Sequence, residues 1–335
     1  MFLQVAVPLR LPSLTYRVPE GMPAPAVGDP VKVRVRNKVL DGIVLGLSAE
    51  PPPGVKFEIK AIDGPSEDFP KLGPQTLEIL RWAGDYYHCP LGEVLRGFLP
   101  PDPEPRKKES WFLPEAARVK VAAGEFPRGS AQKALLQRLA SSGPAGLASA
   151  DRPAARKLLE AGWLAKEMVR DEEAPPPPPA VPSEHQLTKA QAEGLQELRG
   201  SLDAGVFKTY LLQGVTGSGK TEVYLRAAAH ALALGKSVLV VVPEISLTPQ
   251  LVARFKGRLG ERIAVLHSGI SDGERSHMWH LLNKGVYRVC VGARSASFAP
   301  MEGMGLIVVD EEHDSALKQE DHLRYNARDL AIMRG

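Results

Sequence analysis

The residues best suited to handle a polyphosphate lie in one short run, Tyr210-Leu-Leu-Gln-Gly-Val-Thr-Gly-Ser-Gly-Lys-Thr-Glu-Val-Tyr224. Within it, Gly214, Val215, Thr216, Gly217, Ser218, Gly219, Lys220 and Thr221 follow the Gly-x-x-x-x-Gly-Lys-Thr spacing of a phosphate-binding loop. The glycines let the backbone curl so that its N–H groups point inward at anionic oxygens. Lys220 brings a mobile cation to the terminal phosphates, and Thr221 offers a hydroxyl to Mg²⁺. A helix opening at the loop would add its N-terminal partial positive charge. The chemistry this spacing points to is nucleoside triphosphate binding.

A second cluster stands about ninety residues further on, in Leu306-Ile-Val-Val-Asp-Glu-Glu-His313. Its apolar run reads as a buried strand that ends in acids. Asp310 is placed to hold Mg²⁺, and Glu311 to orient an attacking water as a general base. Glu312 and His313 complete an Asp-Glu-x-His box.

Positioning these groups takes alternating strands and helices. Thr209–Leu212 reads as a strand feeding the loop, and Glu222–Leu234 as the helix leaving it, stopped at Gly235. Further short apolar runs follow at Val238–Val242, Ile263–Leu266, Val286–Val291 and Leu306–Val309. Such runs suit parallel strands buried on both faces, so residues 183–335 are expected to form an α/β, RecA-like P-loop lobe.

Residues 1–105 read differently. Phe2–Val7, Pro30–Arg36 and Gly42–Leu47 alternate apolar and polar residues between Pro and Gly turns, as in a β-rich domain, followed by a helix over Gln75–Tyr87. Lys32, Arg34 and Arg36 are expected on one strand face, opposite Val31, Val33 and Val35. The stretch 106–174 begins as a charged, proline-rich linker. It then shows a helix at Ala131–Ala140, another at Pro153–Gly162 and a ribbon at Trp163–Arg170, the order of a winged helix or of a small helical spacer. Residues 175–182 hold a polyproline linker. The expected fold class is therefore α/β multidomain.

Composition agrees with a globular, cytoplasmic protein: 44% hydrophobic and 24% charged residues over 335 positions. A net charge of +3 leaves nucleic-acid affinity to local basic clusters. No apolar run approaches the ~18 residues of a membrane span, and no membrane role is expected. Cys89 and Cys290 are too few for a zinc site, so no zinc is expected in these residues, and both read as small buried hydrophobes. His277 and His280 lie three residues apart on an expected helix near Asp272 and Glu274, an arrangement open to a metal site but read as a solvated helix face.

Several motifs together resemble the PriA family of bacterial replication restart helicases, superfamily 2 proteins with a DEAH-type box. They are Gly214–Tyr224, Val242-Pro-Glu-Ile-Ser-Leu-Thr-Pro-Gln250, Val265-Leu-His-Ser-Gly269, Asp310–Asp314 and the upstream Leu187-Thr-Lys-Ala-Gln191. Pro19–Met22, Trp82–His88 and Pro90–Leu95 are similar to that family's 3′-DNA-end-binding domain, so the resemblance covers the whole chain. It implies ATP and Mg²⁺ as ligands, with Gln191 reading adenine. It also implies DNA contacts at Lys32, Arg34, Arg36, Lys60, Arg294, Ser295, Arg324 and Tyr325. Forked and single-stranded DNA, primosome and helicase-loading proteins and single-stranded-DNA-binding protein are the partners implied. Zn²⁺ belongs only to a longer chain carrying the family's cysteine cluster. The activity implied is 3′→5′ unwinding during restart; the alternative is a DNA-binding loading scaffold with a weak or silent ATPase.

The sequence departs from the family in places. Ser13-Leu14-Thr15-Tyr16 lacks the family's Phe-Asp pair, and Arg36 stands where the family has a small glycine. Leu317 and Leu323 occupy positions that are usually aromatic in the loop relaying DNA binding to hydrolysis, leaving Tyr325. The 335 residues hold no second RecA-like lobe to supply an arginine finger, so negligible DNA-stimulated ATPase is expected of them alone.

Overall fold

A computed structural model describes residues 1–54, 58–67, 69–100, 107–170, 186–215, 217–260 and 262–335. The polyproline run and Thr216 lie outside the described residues. The chain divides into two compact units, one of residues 1–104 with 173–335, the other of residues 105–172.

The first unit begins with a five-stranded antiparallel sheet. Its strands are β1 (Phe2–Ala6), β2 (Leu14–Arg17), β3 (Pro30–Val35), β4 (Lys38–Ser48) and β5 (Gly64–Pro65), in the order β2-β1-β4-β3-β5. Alternation decides the faces. Val31 and Val33 are buried while Lys32 and Arg34 are exposed. Residues 60–65 touch both edges of the sheet. Arg17 donates its N–H to the Lys60 carbonyl at 2.9 Å, and β5 pairs with β3. The sheet thus nearly closes on itself around Leu3, Val5, Tyr16, Val44 and Ile62.

Two helices follow, α1 (Pro74–Tyr86), with Pro74 in its first turn, and α2 (Leu91–Phe98). They carry the sheet into the rest of the unit, because Leu80, Leu95 and Phe98 share one apolar cluster with Leu239, Cys290 and Phe298. The buried Trp279 indole donates to the Phe98 carbonyl at 2.7 Å, and Glu302 accepts from both the N–H and the hydroxyl of Thr76.

The remainder of this unit is a parallel α/β lobe. After α6 (Lys189–Ala204) and α7 (Lys220–Ala233) come β8 (Ser237–Val241), α8 (Pro249–Leu259), β9 (Ile263–Leu266), α9 (Asp272–Asn283), β10 (Val289–Gly292) and β11 (Met304–Val309). The strand order is β11-β8-β10-β9, all parallel. β8, β9 and β10 are buried throughout, as their β-branched composition requires, whereas β11 is only half-buried. A short hairpin, β12 (Lys318–Gln319) with β13 (Tyr325–Asn326), leads to α10 (Ala327–Arg334).

One expected strand is not formed. Thr209–Leu212 belongs to no sheet, and Leu211 is 77% and Val215 79% exposed. Thr209-Tyr-Leu-Leu212 satisfies a strand pattern, but a strand exists only through a partner, and among the described residues β11 pairs with β8 alone.

The second unit has its own core. The strands β6 (Lys107–Phe112) and β7 (Ala165–Arg170) pair antiparallel, enclosing α3 (Glu115–Ala122), α4 (Ser130–Ser142) and α5 (Arg152–Glu160) in sequence. Trp111, Leu135, Leu136, Leu139 and Leu158 pack together. The two expected helices and the second strand are present. α3 and β6, part of which was read as linker, are additions.

Candidate functional site

The phosphate-loop sequence makes a tight cradle. Gly217 and Gly219 adopt φ of 79° and 81°, in the left-handed region that side chains disfavour, and α7 starts immediately at Lys220. A Cβ at Gly219 would stand 2.5 Å from Gln191 Nε2. The Lys220 ammonium donates to the Gly214 carbonyl at 2.7 Å and so lies over the loop. Ser218 Oγ is buried without a partner among the described residues. An inward-facing hydroxyl, a folded-back lysine and a helix N-terminus fit a polyphosphate, which would give Ser218 and the loop amides their acceptors.

Gln191 reaches this cradle from α6. Its Oε1 accepts the Thr188 N–H in a capping box at the start of that helix, and its Nε2 donates to the Ser218 carbonyl at 2.8 Å. The expected adenine-reading residue therefore touches the loop.

The acidic cluster arrives at the same place from β11. Asp310 donates its N–H to the Val241 carbonyl, which fixes it at the end of the sheet. The link to the loop is Tyr224, which the sequence reading did not single out. Its hydroxyl donates to Asp310 Oδ2 at 3.1 Å and lies 3.2 Å from Thr221 Oγ1. The ring stacks on Phe255, and burial pushes the phenol up, so it stays protonated. Only its spacing from Lys220, one helical turn on the same face, could have flagged it.

Glu311 has φ of 46°, uncommon for a side-chain-bearing residue, and its N–H bonds Asp310 Oδ1 at 3.1 Å. The His313 ring lies 3.8 Å from Glu311, whereas Glu312 pairs with Arg328 at 3.0 Å. The four residues of the box thus divide between the nucleotide side and α10.

Loops after β8, β9 and β10 meet beside this site. Glu244 accepts from the N–H and the hydroxyl of Ser268, and the hydroxyl bond, with help from Arg294 and His267, holds its carboxyl below the usual range. Arg294 donates to the carbonyls of Ala316 and Lys318, so it anchors the hairpin loop. Ser295 is exposed.

The expected DNA-contacting residues are not all presented alike. Lys32, Arg34 and Lys60 are exposed, with Arg34 3.7 Å from Asp63. Arg36 is not on the strand face. It occupies the turn between β3 and β4 with φ of 52°, because the strand ends at Val35 and the chain must reverse. Arg324 is exposed and bonds the Glu320 carbonyl. Tyr325 is 7% exposed, with its ring edge-on to Phe298, which in turn meets Phe98. In this arrangement it is a core residue, since the hairpin turns it inward and Leu317 and Leu323 fill the neighbouring space.

Two family models match this chain. One, the 3′ DNA-binding domain of PriA, covers residues 4–100; the other, the DEAD/DEAH box helicase, covers residues 188–334. The Chlamydia pneumoniae replication restart protein PriA is 35% identical across 96% of this chain, and the Haemophilus influenzae protein of that name 37% across 82%. The chain belongs to the PriA family. A third PriA relative, from Bacillus subtilis, is 52% identical over 44% of the chain. The chain spans less than half the length of these PriA relatives, 45%, 39% and 18% respectively.

Proposed function

We propose that these residues are the DNA-binding and ATP-binding part of a replication restart protein that recognises branched or stalled forks and starts primosome reassembly. The observation that carries this reading is the meeting of Thr221 and Asp310 across the Tyr224 hydroxyl, beside a glycine cradle, in a chain whose N-terminal sheet matches a 3′ DNA-binding domain. Thr221 and Asp310 would hold Mg²⁺, which screens the charge of the bound phosphates. Lys220 binds the terminal phosphates, Gln191 orients the adenine, and Glu311 holds the attacking water for deprotonation. Lys32 and Arg34 on the sheet face, Arg36 in the turn after β3 and Lys60 beside the sheet edge supply phosphate contacts. The unit formed by residues 105–172 acts as a winged helix on duplex DNA. Primosome and helicase-loading proteins and single-stranded-DNA-binding protein are its partners, in the cytoplasm. Zn²⁺ would belong only to a longer chain that carries the family's cysteine cluster.

A second reading, a loading scaffold with a weak ATPase, is favoured by the inward-turned Tyr325 and by the leucines at 317 and 323. Base stacking on an aromatic side chain contributes about 1–3 kcal/mol, and here none is offered from that loop. Calorimetry with ATP and Mg²⁺ tests the nucleotide site. Wild type should bind and Lys220→Ala should not; absence of heat from wild type overturns the assignment. Phosphate release with and without forked DNA separates motor from scaffold. These residues should show negligible stimulation, because an arginine finger from a closing lobe typically adds about 10³–10⁵ in rate. Turnover of about one per second or faster favours the motor.

A further inference from the structure

A cavity of about 500 Å³ lies where the N-terminal helices meet the lobe, and the nucleotide site does not use it. It opens at the carboxyl ends of β9 and β10, the position where parallel sheets place ligands. Leu266, the last residue of β9, forms part of its wall, and Ser295 follows shortly after β10. Phe69 and Trp279 add apolar surface. The polar lining is cationic. Arg96 comes from the last turn of α2 and Arg275 from α9, and no carboxylate lines the cavity among the described residues.

The two guanidinium groups are available. Arg96 is exposed and makes no ion pair among the described residues, and Arg275 spends one nitrogen on the His267 carbonyl at 3.1 Å. Two uncompensated guanidinium groups facing an apolar wall ask for a ligand that is anionic on one side and apolar on the other. The volume falls in the range of ligand pockets. A nucleotide unit of a polymer meets both demands, with its phosphate diester on the arginines and its sugar and base along Phe69 and Leu266. A strand crossing the loops after β9 and β10 would pass directly into the cavity and towards α2.

We propose that Arg96 and Arg275, with the Ser295 hydroxyl, seat a phosphate diester of single-stranded DNA at the junction between the N-terminal helices and the lobe. The site carries the strand from one to the other. The inference rests on the DNA-binding reading above and adds to it a seat made by residues of both parts.

The test is fluorescence anisotropy of a labelled single-stranded oligonucleotide over a salt series, using the full chain and the variants Arg96→Ala, Arg275→Ala and the double substitution. Each phosphate contact contributes about 0.7 to the log–log salt slope for single strands, so the double variant should lose about 1.4 and each single variant about half of that. Arg96 is exposed, so Arg96→Ala should keep the melting temperature and remains informative if Arg275→Ala does not fold. If wild type binds DNA and Arg96→Ala keeps both slope and affinity, the proposed seat is wrong and the DNA-binding reading stands. If wild type binds no oligonucleotide, both fall. A mononucleotide that raises the wild-type melt but not that of Arg96→Ala, with an unchanged oligonucleotide slope, would make the cavity a small-anion site and overturn the proposal.

Discussion

At the scale of single residues, Tyr224 shows how a neutral side chain can organise charged ones. Its hydroxyl reaches both Thr221 and Asp310, which come from opposite ends of the lobe's sequence. A hydrogen bond to an ionised group contributes about 1.5–3 kcal/mol. Tyr224→Phe keeps the ring against Phe255 but removes that bond. Magnesium-dependent ATP affinity should fall about tenfold in calorimetry, which corresponds to the lower end of that range. Unchanged affinity would reduce the hydroxyl to a packing detail. Arg36 poses the opposite case, a charge held in a strained turn. Left-handed backbone costs a side-chain-bearing residue roughly 1–2 kcal/mol, so Arg36→Gly should raise stability by about 1 kcal/mol in urea unfolding while weakening DNA binding. Arg36→Ala should weaken binding without the gain. The phosphate loop was legible because each of its residue types does a job no other type does. Tyr224 was not, since a tyrosine in a helix reads as core until Asp310 is brought beside it.

At the scale of elements, legibility followed the strength of the repeat. β8 and β9 were readable because short, almost wholly apolar runs rich in Val, Leu and Ile suit doubly covered strands. α2 was missed because Gly92 and Gly97 weaken its helical pattern, and it is secured instead by the packing of Leu95 and Phe98. Thr209–Leu212 carried the residue types of a strand without the partner that would make it one. Loops are joined by chemistry that periodicity does not reveal, as at Glu244, which binds the loop after β9 to the loop after β8. Its folded pKa is depressed below the ordinary 4.5, chiefly by the Ser268 hydroxyl. The contribution is therefore complete above about pH 4.5 and is lost as pH falls through the lowered value. Glu244→Gln should lower the melting temperature near neutrality and remove this part of its acid dependence; parallel acid melts would show the bond to be of no consequence.

At the scale of the whole molecule, the chain is two units of unequal continuity. Residues 105–172 form one uninterrupted stretch with a core of its own, centred on Trp111 and Leu136. Replacing them with a short flexible linker should leave ATP affinity and the main melting transition of the remainder unchanged, as measured by calorimetry and circular dichroism. A collapse of that transition would show that the remainder depends on them. The remainder is discontinuous in sequence yet shares one apolar cluster, from Ile43 and Leu80 to Leu239 and Leu330.

That shared cluster has a consequence for synthesis. Thr76 and the Glu302 that binds it are 226 positions apart. At translation rates of roughly 5–20 residues per second, α1 emerges about 11–45 s before its partner exists. Through that interval Leu77, Leu80 and Phe98 have no lobe to pack against, while the intervening unit can already close on its own core. The N-terminal helices should therefore be open to protease, or held by a chaperone, on ribosomes stalled before residue 302, and become protected only once the lobe has been made. Protection before that point would mean that the barrel and its helices complete a core without the lobe.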